Sequence, residues 1–305
     1  MYRLINFLKQ NNIPAPVFIG NIVSRIPFSL RPGVGKIYSQ KKTQIAQYDL
    51  LSINERKKLI FNSFYTIFKH AYTNIPFFND LYKYKHKINL KDINSFEDIK
   101  NVPILNKEFL KSVPLEERSY KVSNRILVNT GGSSGKPFSF YMDPKRYGNE
   151  WAHLHQVWSK YNYKPNKIML KFDGRCSNKN AIEYDFIRNI FNVNLNIEFK
   201  EITKNLSEII SFNKVEYLWG YPSAIFEFLN YCNSENKALL IKLKDSLKCA
   251  FFASEFPVPS QRKFIENVIG IPTLSFYGHT ETCIMACESE KYIFRPYQTY
   301  GFAGQ

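Results

Sequence analysis

The chain has 305 residues, enough for one large domain or two modest ones, and its 44% hydrophobic and 22% charged residues mark a globular rather than a disordered protein. Lys plus Arg total 42 against 26 for Asp plus Glu, a net +16. Five scattered cysteines, an opening MYRLINFLKQNN without a secretory h-region, and no apolar run able to span a bilayer exclude a disulfide scaffold, a signal-led chain and an integral membrane protein; a cytoplasmic protein with free thiols is expected.

Residues 1–34 are apolar and basic and are broken by Pro14, Pro16, Pro27 and Pro32, which predicts a short helix followed by an extended segment. From Ser52 to Tyr72 the residues Ile53, Leu59, Ile60, Phe64, Ile67, Phe68 and Ala71 recur at helical spacing, and Asn74-Ile75-Pro76 stops the helix. Further short helices follow, with Ser95, Asn106 and Ser112 as caps, so residues 1–120 are expected to form a mainly helical segment packed on a core.

The pattern changes near Arg125. Ile126–Val128 and Phe138–Tyr141 read as short strands around a Gly/Ser turn, and Pro144 opens a helix through Trp151 and Trp158. Ile168–Phe172 is the next strand, followed by helix-like stretches at 180–192 and 205–213. Glu216–Trp219, Leu247–Ala253 and Thr273–Tyr277 read as strands that alternate with helices at Ala224–Cys232 and Ser260–Ile269. The expected fold class is therefore α/β, with a mixed, mostly parallel sheet flanked by helices over residues 121–305.

The charge has two readings. A nucleic-acid module needs clustered cations. Here lysines are spread along the chain, with short knots at Lys41-Lys42, Lys57-Lys58 and residues 83–87, which favours a solvated basic surface. An aromatic share of 16% with helical or strand spacing favours burial, although a basic, aromatic-rich surface also suits anionic lipid.

Two segments carry chemistry. Thr130-Gly131-Gly132-Ser133-Ser134-Gly135-Lys136-Pro137 joins glycines, hydroxyls and a lysine. Such a loop can form a nest of backbone N–H groups around phosphate oxygens, and it can equally be a hairpin turn without a ligand. It is not a Walker A loop, because Thr130 and Pro137 occupy the positions of the first Gly and the Ser/Thr and a strand follows. The second segment, Tyr277-Gly278-His279-Thr280-Glu281, ends an apolar strand in a polar turn, where ligands bind in open α/β sheets. An ordinary strand-end turn is the alternative.

With Gly220-Tyr221-Pro222-Ser223, Ala253-Ser254-Glu255 and Gln261-Arg262 between them, in this order and spacing, these segments resemble the adenylate-forming superfamily over most of the chain. Within it, the phenylacetate–CoA ligase-like proteins, including the CapK-like capsular-polysaccharide group, are the most similar. The resemblance implies the large N-terminal domain of such an enzyme. It also implies that a small-molecule carboxylate attacks the α-phosphate of ATP and that the acyl group then passes to a thiol such as coenzyme A. On that basis Thr130, Gly131, Gly132, Ser133, Ser134, Gly135 and Lys136 would hold phosphates. Tyr277 and Gly278 would cover the adenine, and Ala253, Ser254 and Glu255 would line its other side. Thr280 would touch the α-phosphate, Glu281 would ligate Mg²⁺, and Gly220, Tyr221, Pro222, Ser223 and His279 would border the acyl pocket.

The resemblance also implies a small C-terminal domain with a catalytic lysine, which these 305 residues do not contain. A truncated ligase is expected, inactive alone or completed by a separate chain. A catalytically silent nucleotide-binding remnant or interaction subunit is the second reading, and a nucleic-acid module the third. His279, Cys283 and Cys287, at i, i+4 and i+8, would align on a helix, but without a fourth ligand the two cysteines are expected to be ordinary buried thiols. Cys176, Cys232 and Cys249 read as core or loop residues, His153 and His155 as pointing apart on a helix, and His70 and His86 as surface residues.

Overall fold

The computed structural model describes residues 16–31, 34–130, 137–174 and 180–303. Its ten helices are α1 (Val17–Val23), α2 (Gly35–Tyr48), α3 (Ile53–Asn74), α4 (Pro76–Asp80), α5 (Lys107–Lys111), α6 (Tyr147–Ser159), α7 (Phe199–Phe212), α8 (Pro222–Glu235), α9 (Lys237–Ser246) and α10 (Pro259–Ile269), all among the described residues. The strands are β1 (Ile126–Asn129), β2 (Ser139–Met142), β3 (Ile168–Phe172), β4 (Ile182–Asp185), β5 (Ile190–Val193), β6 (Val215–Gly220), β7 (Cys249–Phe252), β8 (Thr273–Gly278), β9 (Met285–Glu290) and β10 (Ile293–Pro296).

Local chemistry sets the boundaries. Ser52 and Glu55 form a reciprocal capping box at the start of α3, with the Ser52 N–H donating to Glu55 at 2.7 Å. Asn106 caps α5 by accepting from the Phe109 N–H at 2.8 Å. Ser112, expected as a cap that opens a helix, instead closes α5, since its N–H donates back to Glu108 and Phe109. Pro222 and Pro259 start α8 and α10, where a missing N–H costs nothing.

Eight strands form one sheet in the order β10-β9-β8-β7-β6-β3-β5-β4, and β1 and β2 form a separate antiparallel hairpin. The pairs β5–β3, β3–β6, β6–β7 and β7–β8 are parallel, and antiparallel strands occupy both margins. Side chains alternate between faces. Leu170, Phe172, Leu218, Ala250 and Phe252 pack with buried residues of α7, α8, α9 and α10. Met169, Tyr217, Cys249 and Phe251 pack instead against α2 and α6 through Tyr38, Ile45, Trp151 and Trp158. A parallel sheet covered on both faces must be apolar on both, and these strands are. A third cluster, including Phe68, Tyr72, Leu81, Tyr82 and Ile93, holds the upstream helical segment together.

Two expectations are corrected. The stretch 180–192 is not helical: β4 and β5 pair antiparallel, with Ile182 opposite Val193 and Asp185 opposite Ile190. The turn between them is held by Asp185 Oδ1, which accepts from the N–H groups of Ile187 and Arg188, and by Asn189 at φ 61°. The stretch 205–213 is the latter part of α7, which begins at Phe199. In residues 1–34, expected to hold a short helix and then an extended segment, the described residues hold the short helix α1 followed by a 3₁₀ turn at Phe28–Leu30. It is pinned by Arg31, 3% exposed, which donates to the carbonyls of Ser24, Ile26, Pro165 and Ile187.

Candidate functional site

The register brings three of the sequence segments to one edge. Phe172 pairs with Gly220, and Gly220 with Phe252, so β3, β6 and β7 end side by side. Neighbouring β8 runs on from Ser275, the partner of Phe252, to Gly278. Hence Gly220–Ser223, Ala253–Glu255 and Gly278–Glu281 all lie beyond the carboxyl ends of adjacent strands, where ligands bind in such sheets.

The ends are sewn together by backbone bonds. The Tyr221 N–H donates to Phe172 O at 2.8 Å, and the Ala253 N–H to Gly220 O at 3.0 Å. Gly220 is required by this approach: at φ +144° a Cβ there would lie 2.0 Å from Phe172 O. Ser254 takes a left-handed φ of 68°, and Glu255 reaches back so that Ser223 Oγ donates to its Oε2 at 2.6 Å. A strained non-glycine residue held by its surroundings is a common feature of ligand sites.

On the other side of the edge, Tyr277 stands 54% exposed at the end of β8, a large ring with no core to bury it. Glu281 is only 15% exposed, and its carboxylate is bracketed: Lys107 Nζ lies 2.5 Å from Oε1, and His279 Nδ1 lies 3.1 Å from Oε2. Burial pushes this carboxyl upward, but the Lys107 hydrogen bond, the backbone and the nearby Lys107 and His279 outweigh it and hold it below the usual range. The carboxylate is thus kept ionised by its neighbours, and among the described residues no group of three or more His, Cys, Asp or Glu side chains is placed to hold a metal ion by itself.

The glycine-rich segment is divided. Thr130 closes the β1–β2 hairpin: its N–H donates to Phe138 O at 3.0 Å, and its Oγ1 accepts from the Phe138 N–H at 3.0 Å. Gly131, Gly132, Ser133, Ser134, Gly135 and Lys136 lie outside the described residues, as does Cys176.

The structure also places the remaining residues that the sequence singles out. Arg262 is scaffold: 2% exposed, it forms a two-pronged bond with Glu288 at 2.7 and 2.9 Å and donates to Thr273 Oγ1 at 2.7 Å, at the amino end of β8. His279, Cys283 and Cys287 share no helix, because Cys287 is buried on β9 and His279 and Cys283 sit in the turn before it. Cys283 is exposed rather than buried, whereas Cys232 and Cys249 are buried. His153 and His155 point apart and both are buried; His153 Nε2 meets Thr299 Oγ1 at 2.8 Å, and His155 Nδ1 meets Tyr38 Oη at 2.8 Å. His70 and His86 are exposed. Lys107 is the site residue that sequence reasoning missed.

The fold, a mixed α/β sheet flanked by helices, is shared with solved acyl-CoA ligase structures. The particular likeness is to 2-hydroxyisobutyryl-CoA ligase. In its thioesterification-state complex with 2-HIB-AMP and CoA the TM-score is 0.60 at 16% identity, over 80% of this chain and 54% of that one. The open conformation gives 0.58 at 17% identity, over 77% and 53%. The chain thus spans about half the length of these solved structures. No protein-family model and no curated protein matches it. No helix among the described residues is long and apolar enough to cross a membrane.

Proposed function

We propose that this chain carries the nucleotide-binding core of an ATP-dependent carboxylate-activating enzyme, which forms an acyl-adenylate and supports transfer of the acyl group to coenzyme A or another thiol. The observation that carries the reading is the convergence of Gly220–Ser223, Ala253–Glu255 and Gly278–Glu281 on one carboxyl edge of a sheet with this fold. The solved 2-hydroxyisobutyryl-CoA ligase, with its acyl-adenylate and CoA, supports the choice of chemistry.

In this reading, adenine lies between the Tyr277 ring and the Ala253-Ser254-Glu255 turn. A ring that is already exposed loses little in the free protein and offers a stacking face. Thr280 donates its hydroxyl to the α-phosphate. Glu281 holds a magnesium ion, which when bound supplies charge neutralisation on the phosphate oxygens. The loop from Thr130 to Lys136 offers N–H groups, hydroxyls and an ammonium to the outer phosphates. Gly220, Tyr221, Pro222, Ser223 and His279 border the acyl pocket. The reaction asks the protein for orientation and charge neutralisation rather than for a nucleophile of its own. The motif resemblance further favours a phenylacetate–CoA ligase-like activity in capsular or surface polysaccharide biosynthesis, with any remaining catalytic groups on another segment or chain.

The test is thermal unfolding with and without MgATP. A nucleotide that binds only the native state raises Tm, by roughly 2.7 kcal/mol of added stability at a hundredfold excess over Kd. No rise at millimolar MgATP, with the protein folded, removes the reading. Acyl-hydroxamate formation then distinguishes a working activator from a silent nucleotide binder.

A further inference from the structure

We infer that the acid activated at this site carries hydroxyl groups, which Arg146, Asn149 and Glu150 at the start of α6 bind together with Tyr300. This rests on the carboxylate-activating reading above and names the class of its acid.

Arg146 directly precedes α6, and Asn149 and Glu150 lie in its first turn. Four of their polar atoms, Arg146 Nε and Nη1, Asn149 Oδ1 and Glu150 Oε2, are buried without a hydrogen-bond partner among the described residues. Folded proteins seldom leave such atoms unpaired, because an unmade bond to a buried polar atom is costly. Arg146 and Glu150 do not satisfy each other: Nη1 and Oε2 stand 3.6 Å apart, beyond hydrogen-bond reach. The guanidinium lies over the Tyr147 ring at 4.8 Å, which holds it in place.

The cluster lies between the two segments assigned to the acyl pocket. On one side Trp151, next in the chain to Glu150, lies 6.1 Å from Trp219, the residue before Gly220. On the other, Tyr300 is bordered by Glu150 and Arg146 and by Thr282 and Cys283 of the turn that begins at His279. The segment at Tyr300 follows that turn closely, since a Cβ at Gly301 would collide with Cys283 O.

The chemistry of the set selects the ligand. Arg146 offers donors, and Asn149 and Glu150 offer acceptors. Burial raises the Tyr300 hydroxyl above its ordinary pKa and Glu150 adds to the rise, so it stays protonated and can both donate and accept. The opposite charges of Arg146 and Glu150 cancel, so neither a second carboxylate nor an ammonium on the ligand is called for. A hydroxyl is neutral and donates and accepts at once, which fits. An alkyl or aryl acid would leave the four atoms unpaired.

The experiment is calorimetric titration of the chain with acylsulfamoyl adenosines bearing gluconoyl, hexanoyl, adipoyl or phenylacetyl groups, stable analogues that share the adenosine end. The gluconoyl compound should bind roughly tenfold or more tightly than the hexanoyl one, the gain expected from hydrogen bonds to charged groups. In Glu150→Ala and in Arg146→Ala that ratio should fall towards one, whereas a purely structural role would weaken both compounds alike and keep the ratio. Equal or tighter binding of the hexanoyl, adipoyl or phenylacetyl compound by the wild type, or an unchanged ratio in both variants, overturns the inference and leaves the nucleotide reading standing. If no analogue binds the folded protein, the nucleotide reading falls and the inference falls with it.

Discussion

Ser223 Oγ donates to Glu255 Oε2 at 2.6 Å, with the Ser223 N–H at 3.4 Å from the same oxygen, and these bonds tie the first turn of α8 to the turn that follows β7. The two residues are distant in sequence, yet β6 and β7 are paired through Gly220 and Phe252, so their following turns have to meet. Because the bond is exposed, Ser223→Ala should cost no more than about 1 kcal/mol in urea unfolding. It also loosens Glu255, left with only the longer Ser223 N–H bond, and the left-handed Ser254 beside it. The MgATP-induced rise in Tm should therefore fall by more than the stability loss explains. Equal protection of mutant and wild type would show that this turn does not contact nucleotide.

Tyr277→Ala makes the complementary case. The ring is 54% exposed, so its removal should leave the melting temperature of the ligand-free protein within a degree or two, in line with surface substitutions of under about 0.5 kcal/mol. Affinity for MgATP should drop roughly tenfold, the value of a lost aromatic stacking contact. Calorimetric titration measures both. Unchanged affinity would move the adenine away from the end of β8.

How much of this was legible in the sequence depends on how local the deciding contact is. The strands β3, β6, β7 and β8 were readable because burial on both faces makes them continuous apolar runs. The hairpin of β4 and β5 was not: Ile182, Phe186, Ile187, Ile190 and Phe191 mimic helical spacing, and only pairing with β3 and the turn at Asn189 decide for strands. Motif order placed Gly220–Ser223, Ala253–Glu255 and Gly278–Glu281 near strand ends, and the parallel register joined them. Nothing in the spacing links Lys107 to Glu281, since that pair depends on how the helical segment lies against the sheet. The sequence likewise gives no sign of the buried partner of Arg262, since Glu288 comes from a distant strand.

The backbone seam between β3 and β6 predicts a sharp penalty at Gly220. At φ +144°, with Phe172 O 2.0 Å from the position of a Cβ, Gly220→Ala combines strain with a clash that only main-chain movement can relieve. The loss should reach about 3 kcal/mol or more, visible as a fall in denaturant midpoint with little change in slope. A cost below about 1 kcal/mol would mean that the Tyr221 N–H and Phe172 O bond is not maintained.

Acid should weaken the fold before the carboxylates titrate. Burial pulls His153 from 6.5 down to about 4, and burial likewise lowers His155 well below its ordinary value. Above 6.5 neither folded nor unfolded chain binds the proton, and stability is complete. As pH falls from 6.5 towards 4 the unfolded chain takes up a proton that folded His153 refuses, so stability declines. For His153 alone the loss approaches about 3 kcal/mol. His153→Gln, which can still meet Thr299, should flatten the decline between pH 6.5 and 4 in urea midpoints measured across that range. An identical slope in mutant and wild type would assign the acid sensitivity elsewhere.

The buried pair of Arg262 and Glu288 gives the last prediction, and its value lies in the contrast between one substitution and two. Both side chains are almost wholly buried, at 2% and 3% exposed, and Glu288 also accepts from the backbone N–H groups of Ser275 and Tyr292 at 2.8 Å each. Arg262→Met leaves a carboxylate without its counter-charge among groups that cannot follow it to solvent, which should cost about 3–5 kcal/mol. The companion change Glu288→Gln removes the uncompensated charge and keeps an acceptor for one of those two N–H groups, which bond different carboxylate oxygens. Arg262→Met with Glu288→Gln should therefore recover a large part of the stability lost by Arg262→Met alone, seen as a rise in urea midpoint. If the double variant is as unstable as the sum of the two single ones, the pair is not coupled and the hold of α10 on β8 and β9 must come from packing around Thr273 instead.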